Sequence, residues 1–280
     1  VSLSSTYTED FDLEIYLTGY LGASYVNKML LINDSTIYVA GKFNNVVFNN
    51  AAWKRNYFFK LEIQTGVIDL YPGAGFDFGG GVTAVETEDQ KIIVAGSFKN
   101  YNSINANGIV RIYSETGAID TTFQSGSGFD YNVHRIILQE DGKIIAVGKF
   151  RTYNGMEANN ICRLLPNGEL DTSFSSGTGL NIAGYYDASV INDVIITPDG
   201  KIIIVGGFSS YNDNPCNHIA RLNSDGSFDS SFLIGTGAEY YVFSIALQST
   251  GKILLAGRFE DFDSHWSPGI VRLNPDGSFD

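Results

Sequence analysis

Cysteine, methionine and tryptophan occur only twice each in this 280-residue chain, and histidine three times. Two cysteines, Cys162 and Cys216, are too few for a disulfide framework and leave the redox compartment open. His134, His218 and His265 fall at unrelated phases of the repeat described below. Nothing in the sequence therefore brings them together as metal ligands, or as a base beside a nucleophile. Each reads more simply as a surface or packing residue, and neither a metal nor any other cofactor is expected. Positive charge is also short, with 18 basic against 31 acidic residues and a net charge of −13. Nucleic-acid binding draws most of its affinity from neutralised phosphates, so nucleic acid is excluded as a partner, and anionic membrane surfaces with it. No run approaches the roughly 18 apolar residues of a membrane span, so no membrane insertion is expected. The opening VSLSSTYTED is polar and lacks the apolar stretch of a signal peptide. A chain beginning with Val reads as a processed product or a fragment, so the missing targeting signal says nothing about destination. Walker loops, Gly-x-Ser-x-Gly, His-Glu-x-x-His and acidic calcium loops are missing too. No catalytic residue is assigned, and an enzyme is not expected.

What the chain does have is glycine, 31 residues of it, in a composition that is 44% hydrophobic and 13% aromatic. The glycines are periodic. Gly-x-Phe recurs at Gly41, Gly96, Gly148, Gly206 and Gly257, with spacings of 55, 52, 58 and 51 residues. A basic–aliphatic pair follows each time, beginning at Lys60, Arg111, Arg163, Arg221 and Arg272, and then an aspartate, at Asp69, Asp120, Asp171, Asp229 and Asp280. A Gly-x-Gly begins after it at Gly73, Gly126, Gly177 and Gly235. Four landmarks in one order across five copies define tandem repeats.

Within the third repeat the pattern predicts four strands, over residues 133–138, 143–150, 160–165 and 169–174. Asp141-Gly142, Asp199-Gly200 and Thr250-Gly251 read as hairpin turns between the first two strands. Asn274-Pro275-Asp276-Gly277 reads as a type I turn between the last two, closed by a left-handed glycine. A three-residue loop there sets Arg272 across from Asp280, and Arg163–Asp171 and Arg221–Asp229 share the same spacing of eight. These are expected to be cross-strand ion pairs, worth about 0.2–1 kcal/mol each if partly exposed. The first two repeats carry one more residue in this turn, which makes Lys60–Asp69 and Arg111–Asp120 less secure. Four antiparallel strands at a period near fifty favour an all-β propeller of five four-stranded blades over a β-helix, and the β-branched runs exclude helical repeats.

The motif set resembles the delta-60 repeat β-propeller family. It is carried by Asp199-Gly200-Lys201-Ile202, Gly206-Gly207-Phe208, Tyr211-Asn212, Ile219-Ala220-Arg221-Leu222-Asn223, Asp225-Gly226-Ser227-Phe228-Asp229 and Phe232. The resemblance spans residues 10–280 and is loosest in the first repeat, where Asn33-Asp34-Ser35-Thr36 replaces the Asp-Gly-Lys turn. It implies a bacterial surface, secreted or phage structural protein and no catalytic activity. The whole chain then reads as one propeller domain, with a lead-in over residues 1–9 and repeats over about 10–69, 70–120, 121–171, 172–229 and 230–280. Phe11-Asp12 matches Phe279-Asp280, so residues 10–17 are expected to supply the missing outer strand of the last blade and close the ring. Part of a six- to eight-bladed ring is the competing reading.

Departures from the repeat locate the candidate site. Gly-x-Phe to basic residue takes 15 residues in four repeats but 19 in the first, and that insertion carries Trp53, Lys54 and Arg55. A second excess, between Gly179 and Gly200, carries Tyr185, Tyr186 and Asp187, while His265 and Trp266 lie between the second and third strands of the last repeat. Strand alternation puts both kinds of loop on one rim, a plausible recognition surface. The plain alternative is loop drift, with each tryptophan packing on its own blade. The preferred function is a non-catalytic interaction or adhesion module of a larger extracellular or virion assembly, such as a phage tail. The alternatives are a glycan-binding or glycan-processing propeller, with a surface glycan as ligand, and a purely architectural spacer.

Overall fold

The computed structural model describes residues 16–18, 24–43, 45–48, 51–54, 57–62, 68–69, 76–77, 82–88, 90–181 and 190–280. They are all-β, with no helix among them. Each repeat forms one antiparallel sheet in chain order. In the third, Val133–Leu138 pairs with Ile144–Gly148, which pairs with Ile161–Leu164. The same order recurs in the second, fourth and fifth repeats, and the first adds Ile68–Asp69 as a fourth strand. Central strands such as Ile144–Gly148 and Ile202–Gly207 are buried along their whole length. Neighbouring sheets cover both of their faces, which is why they are continuous apolar runs rather than alternating ones. Ile145 and Val147 pack toward the fourth repeat, while Ile144 and Ala146 pack toward the second.

The expected fourth strand is mostly not a strand. In the third repeat it shrinks to a single bridge, Leu164 with Leu170. The Asp171 carboxylate then accepts from the Ser173 amide at 3.0 Å and the Ser173 hydroxyl at 2.6 Å, and this local capture turns the chain out of the ladder. Asp229 with Ser231 and Asp120 with Thr122 repeat the device.

Successive sheets are joined at both edges. Along the inner edge each first strand is bulged one residue after its start, at Val133/Arg135, Ile191/Asp193 and Val242/Ser244. The bulge presses a backbone carbonyl against the glycine of Gly-x-Phe. A Cβ on Gly148 would lie 2.2 Å from the Asn132 carbonyl oxygen, and one on Gly206 would lie 2.0 Å from that of Val190. The bulged side chains bond to the next inner strand. Asn27 Nδ2 donates to Val82 O at 2.9 Å, Asn192 Nδ2 to Val242 O at 2.9 Å, and His134 Nδ1 lies 3.2 Å from Ile191 O. With Arg135 and Phe243 they line an axial cleft of about 280 Å³.

Toward the outer edge the repeated arginines form latches. Arg163 Nε donates to Asp171 at 2.8 Å, its second nitrogen donates to the Ser224 carbonyl of the next repeat at 2.6 Å, and the guanidinium lies over Phe174 at 5.1 Å. Arg221 does the same with Asp229, Pro275 O and Phe232. Arg111 joins Asp120 at 2.8 Å and reaches Pro166 O at 2.6 Å, so the longer turn of the second repeat keeps the pair. In the first repeat Lys60 is in register with Asp69, and its ammonium lies 3.3 Å from Glu62. Arg272 pairs with Asp280 and remains half exposed.

The two faces that end the series are open. Met29 and Leu31 are 65% and 61% exposed, as is Ile270 at 62%, whereas its counterparts Ile161 and Ile219 are fully buried. Residues 10–15 of the segment expected to close the ring lie outside the described residues. Tyr16–Thr18 pairs with Asn45–Phe48 of the first repeat.

Candidate functional site

The loops after the second strand and the connectors into the first strand meet on one rim, where they pair with each other. Asn100–Tyr101 pairs with both Ile104–Asn105 and Phe76–Asp77, and Ser210–Tyr211 pairs with both Asn214–Pro215 and Leu180–Asn181. Single bridges repeat this at Phe129 with Tyr153 and Ala238 with Phe262. These small accessory sheets are not legible in the sequence, because two-residue strands carry too little periodicity to read. Asparagines in left-handed conformation stitch them together. Asn154 and Asn212 accept from the amides of Gly128 and Gly179, each at 2.9 Å, and Asn159 donates to the Gly177 carbonyl at 2.8 Å. Asn212-Asp213-Asn214 is therefore turn chemistry, and among the described residues no cluster of His, Cys, Asp and Glu could hold a metal.

In the second, third and fourth repeats a buried tyrosine ties the rim to the body. Tyr101, Tyr153 and Tyr211 donate their hydroxyls to the carbonyls of Gly117, Gly168 and Gly226 at 2.7, 2.6 and 2.9 Å. Burial pushes the Tyr101 hydroxyl up to about 12, and the Tyr153 and Tyr211 hydroxyls higher still, so they remain protonated donors. Cys162 and Cys216 are buried free thiols, Cys216 raised to about 12 and Cys162 further, which suits packing rather than nucleophilic chemistry.

Of the residues singled out from the sequence, His265 and Trp266 form the outer strand of an accessory hairpin. Trp266 is 69% exposed and does not bury itself on its own blade; His265 stacks on Phe279 with ring centroids 4.0 Å apart. Trp53 and Lys54 end the strand Ala51–Lys54, opposite Val46 and Asn45. Arg55, Tyr185, Tyr186 and Asp187 lie outside the described residues. The structure adds two aromatics that the sequence did not single out, Tyr131 and Tyr240, 57% and 53% exposed at equivalent points just before an inner strand. They are not in insertions, so subtracting the repeat could not reveal them. Beside Tyr131, between the second and third repeats, is a cleft of about 460 Å³ lined by Gly96, Lys99, Gly108, Phe129 and Asn132.

The family described as "Domain of unknown function (DUF5122) beta-propeller" matches residues 88–123, 139–174, 197–232 and 248–280. The chain belongs to this β-propeller family. No curated protein matches it. Among solved structures, the GH74 xyloglucanase from Xanthomonas campestris is similar in fold, with a TM-score of 0.56 at 10% identity over 94% of this chain and 38% of that one. The WD40 propeller domain of Doa1 aligns with a TM-score of 0.47 at 12% identity, over 87% of this chain and 66% of that one. A putative gluconolactonase aligns at 0.48 and 14%, over 96% of this chain and 80% of that one. Thus the chain spans just under two thirds of the Doa1 propeller and much less of the xyloglucanase. A shared fold does not by itself carry a function.

Proposed function

We propose that the chain is a non-catalytic interaction module of a larger extracellular or virion assembly, phage tail-like in character, and that it holds a protein partner on the loop-bearing rim. In this reading the five sheets are five blades of one arc. The observation that carries it is the set of solvent-exposed rings, Trp266 on a short hairpin and Tyr131 and Tyr240 just before inner strands, on a rim held by backbone and asparagine hydrogen bonds. Rigid aromatics lose little entropy when covered, which is why such residues anchor interfaces. The resemblance of the repeats to surface and phage structural proteins supports the setting. A glycan-binding reading is favoured by one feature: Tyr131 lines a cleft together with Asn107 and Asn132, an aromatic residue among hydrogen-bonding ones.

Cross-linking from exposed Lys99 in the native assembly is expected to reach a neighbouring protein, with the cross-link weakened at least tenfold in Tyr131→Ala and Trp266→Ala. Binding on a glycan array that these variants lose would replace the protein reading with the glycan one. Neither cross-links nor glycan binding would leave an architectural spacer.

A further inference from the structure

The residue whose carbonyl accepts from the Gly-x-Phe glycine is Tyr57, Gly108, Asn160, His218 and Gly269 in the five repeats. All five have positive φ, between 68° and 81°. Where this residue has a polar side chain, that side chain turns back on the glycine. Asn160 Nδ2 donates to Gly148 O at 3.0 Å, and His218 Nδ1 lies 3.2 Å from Gly206 O, set by its carbonyl partner as the protonated nitrogen. The His218 ring also meets Tyr241 edge-on, with centroids 5.6 Å apart, and so fills the junction between the fourth and fifth repeats.

Between the second and third repeats both rings are missing. Gly108 stands in the place of His218, and Asn132 stands where Tyr241 does, immediately before the inner strand. The 460 Å³ cleft lies at this junction. Its floor includes Gly96, whose carbonyl would be 3.3 Å from a Cβ on Gly108, and its wall includes Phe129, buried against Phe150 and Tyr153. Exposed Tyr131 and Lys99 stand at the mouth.

We propose that this cleft receives an N–H-bearing aromatic ring, imidazole or indole, from a partner peptide, which docks where His218 docks within the fourth repeat and donates to the Gly96 carbonyl. The inference rests on the protein-binding reading. The chain itself shows which ring docks on the corresponding backbone two repeats later, with Phe129 here in the place of Ala238 and its ring 3.6 Å from a Cβ on Gly108. A saccharide would also stack on an aromatic wall, but the filled junction favours a flat ring with one donor.

Titration of the ¹⁵N-labelled chain with N-acetylhistidine methylamide and with N-acetyltryptophanamide tests this, with methyl β-glucoside as the competing class. Saturable shifts of the Gly96 and Gly108 amides are expected with at least one ring probe. The self-filled variant Gly108→His/Asn132→Tyr is expected to weaken that binding at least tenfold, and His218→Gly/Tyr241→Asn to create a second site of similar affinity. Should the filled variant not fold, Gly108→Asn replaces it, with Asn160 as its precedent. No shifts from either ring probe, shifts from the glucoside alone, or unchanged affinity in a folded filled variant would each overturn the proposal. Loss of ring binding with Lys99 cross-links intact would reject the cleft alone; ring binding without those cross-links would reject the protein-partner reading.

Discussion

The Arg163 side chain is shared among an aspartate, the carbonyl of the next repeat and a phenylalanine ring, at 9% side-chain exposure. Read from sequence, it was one half of a partly exposed ion pair. Spacing revealed the pair, because an eight-residue interval in a hairpin is a local property. The burial and the inter-repeat carbonyl depend on what the next blade covers, which local spacing does not contain. The repeat supplies its own control, since Arg272 makes the same pair but is 52% exposed and ends the series. Arg163→Ala leaves the Asp171 carboxylate to Ser173 and to Lys143, 3.5 Å away, and is expected to cost about 1.5–3 kcal/mol. Arg272→Ala should lower the melting temperature by only a small fraction of that shift. Thermal unfolding of the two variants side by side measures the difference, and equal losses would show that the latch adds nothing to the pair.

Among the elements, the bulged inner strand explains the most visible sequence signal. Gly-x-Phe marked the repeat, but its glycine is required by a contact with a strand ten or more residues away. Gly148 has no positive φ to satisfy; the need is room, with the Asn132 carbonyl 2.2 Å from where a Cβ would be. Gly148→Ala must therefore move backbone, and a loss of at least about 1–3 kcal/mol is expected in urea unfolding. The glycine of Asp199-Gly200 differs: φ is +80° and nothing lies within 4 Å of where a Cβ would be. The expected outer strand failed for an equally local reason. Asp171, Asp229 and Asp120 still donate their amides to the facing arginine carbonyls, but their carboxylates capture the amide two residues on and the pairing stops there.

Across the whole molecule these aspartates make stability depend on acid. Burial alone would raise their pKa values, but hydrogen bonds from Ser173 and Arg163 outweigh it and hold Asp171 at about 2, while Lys91 and Thr122 hold Asp120, and Lys201, Ser231 and Arg221 hold Asp229, lower still. A depressed folded-state value means that the contribution is complete above the unfolded value near pH ~4, and is lost as pH falls through the folded values. The urea midpoint should accordingly stay level from pH 7 to pH 5 and fall steeply below about pH 4. A midpoint still level at pH 3 would contradict the assignment. The exposure of Met29, Leu31 and Ile270 in the first and last repeats belongs to this scale too, since it depends on what a neighbouring repeat covers and not on the repeat itself.

By itself the sequence determined the repeat, its antiparallel strands, its hairpin turns and the arginine–aspartate register, because each rests on periodicity or on spacing within one hairpin. Even the placement of Trp266 on a loop-bearing rim follows from strand alternation. Only the tertiary structure decided which of these residues are buried, why the glycine of Gly-x-Phe is needed, and where a ring is missing. The cleft beside Gly108 is the sharpest case. A glycine in a glycine-rich chain carries no signal, and it becomes a candidate binding position only when His218 and Asn160 are seen filling the same place in neighbouring repeats.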